Sequence, residues 1–257
     1  MTSLAEILAS AEAIDEGLRA IIPETWMQGR TAYGGLSTAI ALHATQQAFG
    51  DLPPLRSAQV SFVGPLAGPI SITPTILRQG KNATFVRADV TGDAGLGLTA
   101  TFVFVRALAS QISHRDAPAP DFPAPAAGTS TFRGKPDSFT SNFDYVDDRG
   151  ATRWPAEWVR WVRLAERDGL DPMVELMAIG DALPPAAMKL MGAWGPISSM
   201  TWLCNLLTPM PATADGWWQL RAVSEFAHDG CSSQTMGIWN TSGEAIGSGM
   251  QSVAIFV

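Results

Sequence analysis

The chain carries one β-turn-β pattern twice, and a chain that repeats a module must pack the two copies against each other or leave both half-exposed. Residues 80–105 (GKNATFVRADVTGDAGLGLTATFVFV) overlay residues 230–255 (GCSSQTMGIWNTSGEAIGSGMQSVAI) without a gap. Glycine opens each segment, an apolar run follows, then a turn (Thr91-Gly92-Asp93 and Thr241-Ser242-Gly243), small residues and a second apolar run. Four positions are identical: Gly80/Gly230, Thr91/Thr241, Gly97/Gly247 and Val103/Val253. What repeats is the pattern of two strands around a turn. Read as a duplication, it predicts a fused pseudo-dimer whose function lies where the halves meet. The other reading is a pair of unrelated hairpins.

The flanking sequence extends the repeat. In the first half LSTAIALHATQQAF (36–49) is apolar or small on nearly every face and free of Gly and Pro, which predicts a helix buried on most sides. Gly50-Asp51-Leu52-Pro53-Pro54 stops it, and residues 55–63, 69–79, 82–91 and 97–107 read as four strands. In the second half a strand at Trp158–Leu164 precedes Asp171-Pro172, which caps and opens a short helix to about Ala178. Strands at about 198–208, 217–226, 231–240 and 246–256 follow. A buried helix with a meander of antiparallel strands in each half gives an α+β class, each sheet wrapped around its own helix. The expected organisation is a unit at 1–110, led by an amphipathic helix (MTSLAEILASAEAIDEGLRA), a Pro-rich connector at 111–155, and a second unit at 156–257.

Bulk properties narrow the function classes. The net charge of −7, with no basic block, argues against a nucleic-acid partner. No apolar run is long enough for a transmembrane helix, and the acidic N-terminal segment lacks the basic start of a signal peptide, so a cytoplasmic protein is expected. The two cysteines, Cys204 and Cys231, supply neither a disulfide framework nor a metal site and read as small buried hydrophobes.

A set of short motifs completes the reading: Tyr33-Gly34-Gly35 opening the first helix, Arg56 to Phe62 before Gly64-Pro65, Leu77-Arg78-Gln79-Gly80-Lys81-Asn82 between strands, Thr208-Pro209, the Trp239-to-Gly243 turn, and Ser248-Gly249-Met250-Gln251 in the last strand. In order and interval, from about residue 24 to the C-terminus, they resemble the double-hotdog acyl-CoA thioesterases, the type II or TesB-like group and its thioesterase-like relatives. That resemblance implies two fused hotdog units in one continuous sheet, an acyl-CoA substrate bound between them, and hydrolysis by a water held by an Asp, a Thr or Ser, and a Gln. It implies no cofactor and no metal. The chemistry needs a carboxylate to activate water and N–H donors, such as those of a helix start, for the oxyanion.

Carried over residue by residue, the Gln falls on Gln251, in an otherwise apolar or small strand where a lone amide is costly. Counting back from Thr208-Pro209 places the Asp at Thr201, which has no carboxylate and can only hold a water. The Thr or Ser position falls near Ser224-Glu225, making Glu225 a candidate replacement base, with a solvated strand-edge Glu as the plainer reading. Tyr33, Gly34 and Gly35 are candidates for the oxyanion site, and the same glycines suit a tight entry turn. Arg78 and Lys81 are candidates for CoA phosphates or ordinary loop cations. Trp194 and Trp202 could line an acyl tunnel. His43 reads as a core histidine, and His228 and Asp229 are expected to point to opposite faces of a strand. Without the Asp, a non-catalytic acyl-CoA binding protein is the alternative. A dehydratase fits less well, since residues 30–36 hold no His or acidic residue. Exposed sheet faces predict a homodimer or larger assembly.

Overall fold

The computed structural model describes residues 2–147, 154–193 and 195–256. Its elements run α1 (Leu4–Ala9), β1 (Glu12–Ile14), β2 (Gly17–Ile22), a two-strand ribbon of β3 (Met27–Gln28) and β4 (Thr31–Ala32), α2 (Gly34–Phe49), β5 (Leu55–Phe62), β6 (Gly68–Gln79), β7 (Ala83–Gly92) and β8 (Gly95–Val105). The second half has β9 (Phe143–Asp147), β10 (Glu157–Leu164), α3 (Pro172–Gly180), β11 (Ile197–Leu206), β12 (Trp218–His228), β13 (Cys231–Trp239) and β14 (Ala245–Ile255).

Among the described residues, one 12-stranded antiparallel sheet runs β1-β2-β6-β7-β8-β5-β11-β14-β13-β12-β10-β9. Each side of the β5–β11 seam repeats the other: β5, β8, β7, β6 and β2 correspond outward to β11, β14, β13, β12 and β10. The seam itself is a ladder from Thr201↔Ser61 to Asn205↔Ser57. The duplication is therefore a property of the whole fold, down to one strand before each central helix.

Two expectations are corrected in detail. Residues 12–22 form the β1–β2 hairpin and only Leu4–Ala9 is helical, because Ser3 and Glu6 close a capping box while the segment beyond alternates Leu18, Ala20 and Ile22 inward. The gapless hairpin overlay also slips. Arg87 opposes Thr101 in the first hairpin, whereas Gln251 opposes Gln234 in the second. The second loop holds Asn240 to Glu244 where the first holds only Asp93 and Ala94, so the equivalence needs a gap at the turn.

The two central helices lie antiparallel in the concave face of the sheet. Tyr33, at the start of α2, donates its hydroxyl to the carbonyl of Ala178 near the end of α3 (2.7 Å). At the other end Gln46 of α2 reaches Asp171, the N-cap of α3, at 3.4 Å. Both helices are buried nearly all round, as their compositions require: Leu36, Ala39, Ile40, Ala41 and Leu42 in α2, Val174, Leu176, Met177 and Ile179 in α3. Thr38 and Thr45 return their hydroxyls to the carbonyls one turn back. Gly35 permits the close crossing, since a Cβ there would stand 2.6 Å from the Ala178 carbonyl oxygen.

The connector crosses the surface of the second half and is tied to it. Trp161, Gln219 and Trp239 on the outer face of the second half donate to its carbonyls at Phe122, at Pro120 and Phe122, and at Ala117 respectively. Residues 139–147 close it with a 3-10 turn and β9.

Candidate active site

α3 ends at Gly180, and the next residue, Asp181, is buried. Its carboxyl lies against the first turn of α2. The Gly35 N–H donates to it, and a Cβ on Gly34 would come within 2.7 Å of its Oδ2 and 2.8 Å of the Phe62 ring. Gly34 is thus required by the close approach of Asp181, and Gly35 by the crossing of the helices. From the sheet, Gln251 Nε2 donates to Asp181 Oδ1 (2.8 Å), and Gln234 Nε2 donates to Gln251 Oε1 (2.7 Å). The Ala186 N–H donates to Gln234 Oε1 (2.8 Å). Two buried amides on adjacent strands and a backbone N–H therefore form one chain that ends on the carboxylate.

Burial pushes the Asp181 carboxyl up to about 7, against the opposing pull of the Gln251 amide and the Gly35 N–H. Burial also drives the Tyr33 phenol well above its ordinary range, and the nearby Asp181 adds to this, so Tyr33 is neutral. Its ring stacks on Phe139 at 4.2 Å. Trp202 backs the site: its ring lies against Gly180, 3.0 Å from where a Cβ would stand, and its backbone pairs with Gln251. A carboxyl that changes charge near neutrality, beside the N–H groups of a helix start, is equipped to take a proton while developing negative charge is stabilised. Among the described residues no group of three His, Cys, Asp or Glu converges to hold a metal ion.

The structure brings Gln251, Tyr33, Gly34, Gly35 and Trp202 together, and it leaves the other candidates outside. Thr201 is exposed: it precedes the inward-facing Trp202 by one residue and so faces out of the sheet. Glu225 is exposed at a bulge in β12 between Ser224 and Phe226. Arg78 and Lys81 are exposed at the β6–β7 turn. The ladder places that turn at the Leu55 end of β5, whereas Phe62 at the other end touches the site, a span of roughly 20 Å at strand rise. His228 and Asp229 do touch, at 3.0 Å and fully on the surface, because Asp229 leaves the strand with φ 50° and the alternation stops there. Cys204 is buried as expected, but Cys231, at the tight turn into β13, is exposed. His43 faces a cleft, where burial lowers its pKa. Trp194 lies outside the described residues.

Counting from Thr208-Pro209 leads to the strand and so passes over Asp181, the buried carboxylate that the end of α3 places beside Gln251. The signal was present. Gly180-Asp181-Ala182-Leu183-Pro184-Pro185 repeats Gly50-Asp51-Leu52-Pro53-Pro54, and both close a central helix.

With this geometry in view, the comparisons are specific. A family model described as the acyl-CoA thioesterase N-terminal domain matches residues 22–111, and one described as the acyl-CoA thioesterase C-terminal domain matches 114–255. The chain belongs to the acyl-CoA thioesterase family. Among solved structures, a hot dog fold protein of unknown function from Alicyclobacillus acidocaldarius matches at TM-score 0.83 and 20% identity, over 100% of this chain and 99% of the other. A thioesterase II described as putative, from Thermobifida fusca, gives TM-score 0.83 and 20% identity over 100% and 98%. A tesB protein of Mycobacterium avium subs paratuberculosis gives 0.79 and 18% over 99% and 100%. At these identities the structures establish the fold, a double hotdog. Among curated proteins none matches the chain. No helix among the described residues of this thioesterase-family chain is long and apolar enough to cross a membrane.

Proposed function

We propose that the protein hydrolyses acyl-CoA thioesters, with Asp181 as the base that activates water. The observation that carries this reading is the buried Asp181 carboxyl, poised near pH 7 between the Gln251 amide and the first turn of α2. In the proposed step the thioester carbonyl lies at the helix start, where its oxygen accepts N–H donors as it becomes an oxyanion. Asp181 takes a proton from the attacking water as the C–O bond forms. Collapse of the tetrahedral adduct breaks the C–S bond, and the proton held by Asp181 leaves on the CoA thiolate. Gln251 keeps the carboxylate aimed throughout.

The alternative, a binding protein that has lost its base, rests on the Thr at the expected Asp position; the buried Asp181 beside Gln251 supports the hydrolase over it. The test is thiol release from short, medium, long and aryl acyl-CoAs by wild type, Asp181→Asn and Gln251→Ala. Turnover that disappears with Asp181→Asn supports the hydrolase. Turnover that survives Asp181→Asn sinks the role of Asp181, and no turnover on any thioester alongside a ligand-raised Tm sinks the hydrolase.

A further inference from the structure

We propose that Gln234 is a positioning residue, which fixes the end of the Gln251 amide that faces Asp181. The inference rests on the hydrolase reading for its consequence, but its geometry stands apart from it. The two ends of a glutamine amide are nearly equal in size, so packing alone does not choose between them. Polarity must come from a partner that has no choice, and a backbone N–H can only donate.

Ala186 supplies that partner. It opens the 3-10 turn of residues 186–190 just after Pro184-Pro185, where a first-turn N–H has no acceptor within its own turn. Gln234 answers it with Oε1 at 2.8 Å, so its Nε2 must face Gln251. Gln251 then has to present Oε1 to Gln234, at 2.7 Å, and Nε2 to Asp181 Oδ1, at 2.8 Å. Gln234 is fully buried, so water offers no competing choice.

Released from Gln234, Gln251 could turn its oxygen toward Asp181. That contact is favourable only when Asp181 carries a proton. The carboxyl would then hold its proton to higher pH, and the base would be lost at neutrality. The groups facing Asp181 from the packed elements are the Tyr33 hydroxyl and Gly34-Gly35 of α2, Phe62 of β5, Trp202 of β11 and the two glutamines. Tyr33 is the one ionisable neighbour among them and is held neutral. Gln234 is thus the group that sets the polarity from outside the reacting shell.

A purely structural role, tying β13 to the 186–190 turn, predicts a lower Tm and nothing else. The experiment reads the Asp181 titration directly, from the side-chain carboxyl signal of Asp-labelled protein assigned with Asp181→Asn, in wild type, Gln234→Met, Gln251→Met and the double variant. Gln234→Met is expected to move the midpoint alkaline by about 0.5–1 pH unit, with the rising limb of kcat following and KM little changed. In the Gln251→Met background it should add no shift, since it acts through that amide. Should Gln234→Met fold poorly, Gln234→Asn keeps an amide but is too short to bridge both partners, and the same shift is expected. An unmoved midpoint, or a shift that adds fully to that of Gln251→Met, overturns the proposal. Because the titration needs no turnover, absence of thioesterase activity would count against the hydrolase reading alone.

Discussion

The two ends of the α2–α3 pair were built from the same plan and have diverged. At one end α3 stops at Gly180, and Asp181 turns inward onto the start of α2, where it meets Gln251 and, through it, Gln234. At the other end α2 stops at Gly50, and Asp51 points to solvent. Every inward residue of β7 and β8 that faces the core there is apolar, except for Thr84: Val86, Ala88, Val90, Leu98, Ala100, Phe102 and Phe104. The pair Val86↔Phe102 stands where the second half has inward Gln234↔Gln251. That end instead opens into a cleft of about 1780 Å³ between α1, the end of α2 and the start of α3, lined by His43, Phe49, Leu52 and Asp171 among others. The cleft and the buried carboxylate thus lie at opposite ends of the helix pair. A carboxylate next to a helix start becomes a base by being buried among donors, and duplication of the backbone alone does not provide that.

The sharpest way to break this contrast is to neutralise each aspartate in turn. Asp181→Asn should lower thioester turnover by about 10²–10⁴-fold, the range of a general base, while Asp51→Asn should leave it unchanged. Equal losses would mean that both ends are catalytic. The wild-type rate should rise with pH through the Asp181 midpoint near 7. Stability carries the same signature with a defined sign. Because burial raises the Asp181 pKa above its unfolded value, the folded state is favoured below about pH 4, and this contribution is lost as pH rises to about 7. Asp181→Asn should therefore raise Tm at pH 8, by about 2–4 °C for each kcal/mol recovered, with a smaller gain or none at pH 5. Asp51→Asn should show no such pH dependence.

The next test asks whether the close contact at the Asp181 end is functional or merely compact. Gly34→Ala places a Cβ within 2.7 Å of Asp181 Oδ2 and 2.8 Å of Phe62, so the carboxyl must move. A displacement of about 1 Å in such a site costs on the order of 10²-fold in rate, and kcat should fall with a stability loss too small to explain it. At the other end Gly50 has φ 56° and open space around it. Gly50→Ala should therefore cost about 1 kcal/mol of stability through the backbone and leave kcat alone. A kcat unchanged by Gly34→Ala would mean that the reacting carboxyl is elsewhere.

The sequence carried the fold further than the site, for a physical reason. Strand alternation, the all-round apolar helix and the Gly-Pro stops are local signals, and they place α2, α3 and the nine long strands within a few residues. β2 was lost because Leu4, Ile7, Ala11, Ile14 and Leu18 keep a three-four spacing that looks helical and hides the alternation of Leu18, Ala20 and Ile22. The site depends on a contact between residues 35, 181, 234 and 251, which no local period encodes. Gln251 was legible as a polar residue in an apolar or small strand, whereas Gln234 sits among Ser232, Ser233 and Thr235 in a hairpin read three residues out of register. Asp181 was hidden because the family count points to a carboxylate on β11, whereas the buried one follows a helix that is apolar but for Glu175.

The smallest effect concerns the outer face of the sheet, where the halves differ again. In the second half Trp161, Gln219 and Trp239 are buried beneath the connector, although they point away from the helices. Near the seam the outward residues Gln59, Thr201 and Met250 are exposed. Trp239→Phe keeps an aromatic ring but deletes the N–H bonded to the Ala117 carbonyl at 2.8 Å, together with the distal edge of the indole over Gly237. Such a bond contributes about 1 kcal/mol net, so the urea midpoint should fall modestly. Met250→Ala, on the exposed face, should stay within about 0.5 kcal/mol of wild type. If Trp239→Phe also raised protease cleavage within residues 108–125, the connector would be held to the second half by these few donors. A midpoint as unmoved as that of Met250→Ala would instead mean that apolar cover, and not the N–H, keeps the connector in place.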